Sequence, residues 1–480
     1  MATERTAIIL AAGQGKRMKS ALPKVLHPLA GRPMVHHVVE AALGAGADDV
    51  VVVVGHGREQ VTASLAQAFG DRVRVAIQDE QLGTGHAARC ALPLLSEHAR
   101  AAFVLYGDTP LLEPALLESL ARAWQEQPGA ELGLVTCRLP DPTGYGRVLR
   151  DIDGRVVAIR EQRDCTADEA LVNEINPGVY MIATDFLRRA LPALTSQNAQ
   201  GEYYLTDLIE MGVKGGGVAT VLGEAGSLRG INDRAQLADA EQELYLRIAD
   251  RWRREGVTVR PGARIDASVV LDADSVIESG VVLRGATRVA SGVRIDVGVV
   301  VDDAVIEAGA MIKPYSVIMK SRVGPGAQIG PMAHLRPDSD IGEGAHVGNF
   351  VETKNTRLDR GAKANHLAYL GDGEVGAEAN VGAGTIFCNY DGFQKHRTVI
   401  GARAFIGSDS QLVAPVTIGE GAYVATGTTV TQDVPADSLA IARVTQTNKA
   451  GYASRLRTKL AAAAAEAKRL AAAARQASKG

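Results

Sequence analysis

Two glycines and a group of cations mark the first place where this chain could do chemistry. The run AIILAAGQGKRMKSALPKVL, residues 7–26, sets Gly13 and Gly15 just past an apolar strand, and Arg17 and Lys24 follow. Backbone N–H groups in such a turn can approach an anion closely. The spacing is neither that of GxxxxGK[ST] nor of GxGxxG, because Met18 stands where the last glycine would be. Free amides and two cations at one strand end suit a triphosphate.

The elements that must carry these residues are written in two periods. The first half alternates short apolar runs with helical patterns, which is how a parallel α/β sheet reads. Ala7 to Leu10, Val50 to Val54 and Ala102 to Leu105 are the strand candidates, each followed by a turn with Gly13, Gly55 or Gly107. Ligands of such sheets sit beyond the carboxyl ends of the strands. Past residue 256 aliphatic residues recur every sixth position, from Ile265, Leu271 and Ile277 to Val301. The register slips by one residue before Ile306 and again before Val323, runs on to Val347, and returns as Ile400, Ile406, Leu412, Ile418, Val424 and Val430. A six-residue period predicts a parallel β-helix, with one aliphatic residue per side pointing into a triangular prism. Val351 to Leu367 and Cys388 to Arg397 break the repeat and are expected to leave the prism as loops on one face.

The expected domains are 1–231, an α/β domain; 232–255, a connecting helix; 256–451, the coils; and 452–480, an Ala-rich basic tail read as a solvated helix. A formal charge of −3 gives no reason to expect nucleic acid as a partner. No segment is long and apolar enough to predict membrane insertion. Ala7 to Ala12 is too short for a signal-peptide core, and its cations follow it. The four cysteines, Cys90, Cys137, Cys165 and Cys388, form no CxxC pair, so a reducing cytoplasmic location is expected.

Several motifs together carry a resemblance. LAAGQGKRM with PKVL resembles the sugar-1-phosphate nucleotidyltransferases. QLGTGHA (81–87), YGD (106–108), GYGR (144–147) and EINPG (174–178), with HLAYLGD, GAGTIFCNYDG and GSDSQLVAPVTIG, are similar to the bifunctional N-acetylglucosamine-1-phosphate uridyltransferases and glucosamine-1-phosphate acetyltransferases. The resemblance runs from about Ala7 to Asn448. It implies a Rossmann-like nucleotidyltransferase domain joined to a left-handed parallel β-helix. The implied enzyme acetylates glucosamine 1-phosphate with acetyl-CoA, then couples the product to UTP, releasing pyrophosphate and a cell-wall precursor. It also implies a homotrimer.

Carried over position by position, Leu10, Ala11, Ala12 and Gly13 would contact the uridine nucleotide and Lys24 its phosphates. Gln78, Gly83 and Thr84 would read the uracil, and Tyr106, Gly107 and Asp108 would line the same site. Gly146, Glu161, Asn176 and Asn232 would hold the sugar. Arg17 would clamp charge during phosphate transfer, and Asp108 with Asn232 would bind Mg²⁺. In the coils His366 would be the base, with Glu352 orienting it. Arg336, Lys354, Tyr369, Asn380 and Lys395 would bind glucosamine 1-phosphate. Ala383, Asn389, Tyr390, Ser408, Thr426 and Arg443 would bind acetyl-CoA. Thr426 stands where the family has a small Ala, and Arg163 where it has Lys, and the two cations are not interchangeable.

Other readings stay open at this level. One is a single-function uridyltransferase whose β-helix only trimerises. A second is a non-catalytic regulator with the same two folds, in which the catalytic cations would have decayed. A third is a metal hydratase using His334, His346 and His366.

Overall fold

A computed structural model describes residues 5–477, and side chains as far as 474. The ends of the first predicted domain and of the tail, 1–4 and 478–480, lie outside the described residues. The fold divides into two compact units, Met1–Gly344 and Ala345–Gly480. The division falls among the coils, so each run of coils is described with its own unit.

The first unit begins with a sheet in the order Val73–Ile77, Asp49–Val54, Arg5–Ala11, Ala101–Tyr106, Tyr180–Ala183, Leu132–Arg138, Glu174–Asn176, Gly146–Arg150, Val156–Arg160. The first four strands are parallel and include all three predicted from sequence. Their apolar runs are continuous because both faces are covered. Ala7, Ile9, Val50 and Val52 enter one core, while Ile8, Val51 and Val53 enter the other. The connecting helix spans Arg234–Arg254, and Asp233 caps it by accepting the Gln236 N–H at 2.9 Å.

From Thr258 the chain winds as a left-handed parallel β-helix, its short strands pairing in parallel with the coil above. The predicted six-residue positions point inward. Ile277, Ile295, Ile312 and Ile329 stack in one row, and Leu271, Val289, Ile306, Val323 and Ile341 in another. All are buried. Small hydroxyls close the corners: Ser275 Oγ donates to Asp272 O, and Thr287 Oγ1 to Arg284 O.

The second unit continues the pattern in rows of its own. Leu358, Val375, Ile400 and Ile418 form one, and Phe387, Leu412 and Val430 another. One expectation is corrected here. Residues 351–367 form no loop: Glu352–Leu358 and Lys363–His366 are strands paired within the coils. The repeat is hidden because the inward positions include Thr353 and Thr356, both buried, in place of aliphatics. Thr356 Oγ1 lies within bonding distance of Lys354 O and Leu370 O, at 2.9 and 2.8 Å, which makes a buried hydroxyl tolerable. Of residues 388–397, Cys388 stays in the coil strand Ile386–Cys388, in register with Val413, and 389–397 leave the prism, folded back by a bridge between Tyr390 and Lys395. The tail is a helix, Tyr452–Ala477, and its side chains from Tyr452 to Ala474 are exposed.

Candidate active sites

In the first unit, parallel pairing of Arg5–Ala11 with Ala101–Tyr106 brings two strand ends together, Leu10 opposite Tyr106. Past these ends lies a cavity of about 320 Å³. Its walls include Leu10, Ala11, Ala12, Gly13, Lys24, Gln78, Gly83, Thr84, Tyr106 and Asp108, all predicted. Val25, Gln81, Ala87 and Glu202 also line it and were missed. Gln81 lies inside a quoted motif, and its Nε2 donates to Ala12 O at 2.9 Å. Glu202 comes from an irregular stretch with no periodic signal.

The charged floor is tightly knit. Gly15 adopts φ of +60°, and a Cβ there would lie 2.5 Å from Lys24 Cβ, so glycine is what lets Lys24 approach. Lys24 Nζ lies 2.5 Å from Asp108 Oδ2 and donates to Asn232 Oδ1 at 2.9 Å. Arg17 Nη2 donates to the same Asn232 oxygen at 2.8 Å. Ile231 N–H donates to Asp108 O at 2.9 Å, which sets Asn232 beside Asp108. The Gln236 side chain fixes Asn232 by accepting its backbone N–H at 2.8 Å. Arg234 Nε, bonded to Met18 O at 3.2 Å, ties the turn that carries Arg17 to the same helix.

Deeper in, Gln78 is buried, and its Nε2 donates to Gly83 O and faces His86 Nδ1 at 3.0 Å. That leaves Oε1 as the acceptor it can offer. Tyr106 bonds to Thr84 and Tyr180, and burial pushes its hydroxyl pKa well up, so it stays a neutral donor. Asn176 donates to Tyr180 Oη at 2.6 Å. Burial also raises the Glu161 pKa, although Thr206 donates to it at 3.0 Å. A Cβ on Gly146 would lie 3.5 Å from Glu161 Oε1, which places those two side by side.

The predicted acyl-transfer residues of the second unit fall on successive coils. Asp409 N–H donates to Ala383 O, Gly427 N–H to Ser408 O, and Arg443 Nη1 to Thr426 O. These contacts line up Ala383, Ser408, Thr426 and Arg443. Gly384 N–H meets His366 O at 3.4 Å, so His366 sits beside that line. Asn380 pairs with Lys363 on the His366 strand. Lys354 is in register with Gly371, where a Cβ would lie 2.5 Å from Tyr369 Oη and 2.7 Å from Asn389 Nδ2. Lys354, Tyr369 and Asn389 are thereby brought together.

Asp372, missed in the sequence, accepts Asn389 Nδ2 at 2.6 Å and Asn355 Nδ2 at 2.7 Å. Lys395 Nζ sits 4.6 Å over the Tyr390 ring. The residue in register with His366 is Asn349, whose Oδ1 lies 2.9 Å from Nδ1; Glu352 is in register with Tyr369. Arg336 belongs to a coil of the first unit, where its carbonyl accepts the Ser339 hydroxyl at 2.7 Å. Among the described residues no three His, Cys, Asp or Glu side chains converge as a metal site.

A nucleotide-sized cavity floored by a cluster of paired charges, in a chain that also winds hexapeptide coils, defines a class: nucleotidyl transfer joined to acyl transfer. The family models agree, with a MobA-like NTP transferase domain over residues 7–201 and bacterial transferase hexapeptide repeats over 397–432. The bifunctional protein GlmU of Sorangium cellulosum is 62% identical over 466 residues, 96% of this chain and 98% of that protein. The protein of the same name from Burkholderia pseudomallei is 48% identical over 449 residues, 93% and 98% of the two chains. The chain therefore belongs to the bifunctional GlmU family. It is a bifunctional enzyme that acetylates glucosamine 1-phosphate and couples N-acetylglucosamine 1-phosphate to UTP.

Proposed function

We propose that the two activities divide between residues 1–231 and 256–451, with the helix 232–255 between them, and that each site works through the residues placed above. The observation that carries the first site is the Lys24 ammonium, shared by Asp108 and Asn232 at 2.5 and 2.9 Å. Two oxygens converging on one cation suit Mg²⁺, which takes few protein ligands and completes its shell with water and phosphates. When bound there, it supplies positive charge to the triphosphate. Arg17 and Lys24 hold the phosphates, and the sugar phosphate oxygen attacks the α-phosphorus as the bond to pyrophosphate breaks. Gln78 Oε1 accepts the uracil N–H, and backbone groups serve its carbonyls.

At the coils the amine of glucosamine 1-phosphate attacks the thioester carbon of acetyl-CoA. The N–C bond forms, the C–S bond breaks, and His366 passes the amine proton to the leaving sulfur. Ser408 donates to the developing oxyanion. Lys354 and Lys395 hold the sugar phosphate. The exposed, stacked rings of Phe405 and Tyr423 give the coils an apolar patch for self-association, in keeping with a homotrimer. Among the described residues no helix is long and apolar enough to cross a membrane, and we place the enzyme in the cytoplasm.

The test follows thiol and pyrophosphate separately. Asp108→Ala should abolish pyrophosphate release from N-acetylglucosamine 1-phosphate and spare thiol release, and His366→Ala should do the reverse. A folded variant that loses both activities would sink the division. A His366→Ala enzyme with full thiol release would restore the single-function reading.

A further inference from the structure

Within the single chain the ring of His366 is exposed, and the contact that holds it is a hydrogen bond. Its Nδ1 lies 2.9 Å from Asn349 Oδ1 on the preceding coil. A carbonyl oxygen only accepts, so this contact requires the proton on Nδ1. A neutral imidazole protonated there carries its lone pair on Nε2.

We propose that Asn349 is the positioning residue of the acetyl-transfer base, holding His366 as the Nδ1–H tautomer with Nε2 open to the amine. The proposal rests on the reading of His366 as that base. An amide suits the task. It fixes tautomer and ring angle as a carboxylate would, yet adds no charge to hold the imidazole protonated at neutral pH. The strands stacked here also carry Lys363, on the His366 strand, and His346, on the strand of Asn349. Separations of 17 residues recur in this unit, at Asn355 with Asp372 and Asp372 with Asn389. The Asn349 contact therefore belongs to the geometry of the coil.

The experiment uses the full-length enzyme and the pH dependence of thiol release. Asn349→Asp keeps the shape and adds charge, so the acidic limb of kcat should move up by about one pH unit, with rates near wild type above it. Asn349→Leu removes the acceptor and should lower kcat about ten-fold at every pH, with KM little changed. ¹⁵N NMR of wild-type His366 should show a protonated Nδ1 and a bare Nε2, and a mixture in Asn349→Leu. The proposal is overturned if Asn349→Asp leaves the limb in place while His366→Ala is inactive, or if wild-type Nε2 carries the proton. It is overturned equally if Glu352→Gln moves the limb and Asn349→Asp does not. Full thiol release by His366→Ala would instead remove the base reading itself.

Discussion

Lys24 meets partners 84 and 208 residues away, and Arg17 one 215 away, whereas His366, Asp372 and Asn389 all meet theirs at a separation of 17. The nucleotide cradle is assembled from distant loops that share one ion cluster. The coil site is ruled onto a ladder whose rows already exist for packing. A cradle of this kind can gather many charges at one point but depends on each of them. A ladder spreads its groups along a line and takes its precision from the buried rows beneath.

The largest effect expected tests that dependence on the rows. Ile295→Ala opens a cavity in a fully buried row between Ile277 and Ile312, and should cost about 2–5 kcal/mol in chemical denaturation. Coils touch only their neighbours, so the loss should appear first as local opening around that coil, visible in amide exchange. Uniform exchange across the whole chain would break the contrast between ladder and cradle.

Next comes the cradle's own charge cluster. Lys24→Met should lower kcat for pyrophosphate release by about 10²–10³-fold, the scale of one lost transition-state donor. Thiol release should stay at the wild-type rate. Gly15→Ala should act in the same direction, because its Cβ would press on Lys24. If Lys24→Met weakened only KM, Lys24 would bind both ground and transition states alike, and the cluster would be a docking feature.

Acid separates the regions further. His36 sits buried on the helix Met34–Gly44, its Nε2 2.9 Å from Ser64 Oγ. Burial first, then the neighbouring His37 and Arg32, hold its pKa down at about 4 against an ordinary 6.5. The unfolded chain takes up that proton near pH 6.5, and the folded one only near 4. Stability is therefore full above 6.5 and falls as the pH drops toward 4, by at most about 3 kcal/mol. His27 and His37 are shifted the same way by burial and add to the trend. Guanidinium midpoints between pH 4 and 7 should slope downward with acid for the wild type and less for His36→Gln. An unchanged slope would mean that His36 does not stay neutral in the fold.

Much of this was legible because aliphatic spacing survives wherever the inward position is purely a packing position. Ile265 to Val347 and Ile400 to Val430 declared the prism, slips included, and the strand ends before Gly13 and Gly107 declared the cradle. Glu202 was not legible, since its part in the cavity comes from loop conformation, whereas Gln81 opens the motif QLGTGHA. Asn349 and Asp372 could have been found: counting 17 back from His366 and from Asn389 lands on them. Residues 351–367 were misread as a loop because polar side chains took inward positions.

That misreading supplies the smallest and sharpest test. Thr356→Val keeps the shape of an inward side chain and removes only the hydroxyl that reaches Lys354 O and Leu370 O. The cost should be about 1 kcal/mol, one net hydrogen bond. Thr356→Ala should cost more, because a void is added to the lost bond. Thiol release should be unchanged in Thr356→Val, since the valine holds the strand Glu352–Leu358, and Lys354 with it, in the same register. A loss of thiol release at intact stability would show that the hydroxyl positions Lys354 through its carbonyl. The coil beneath the sugar site would then resemble the cradle, with chemistry and packing sharing the same atoms.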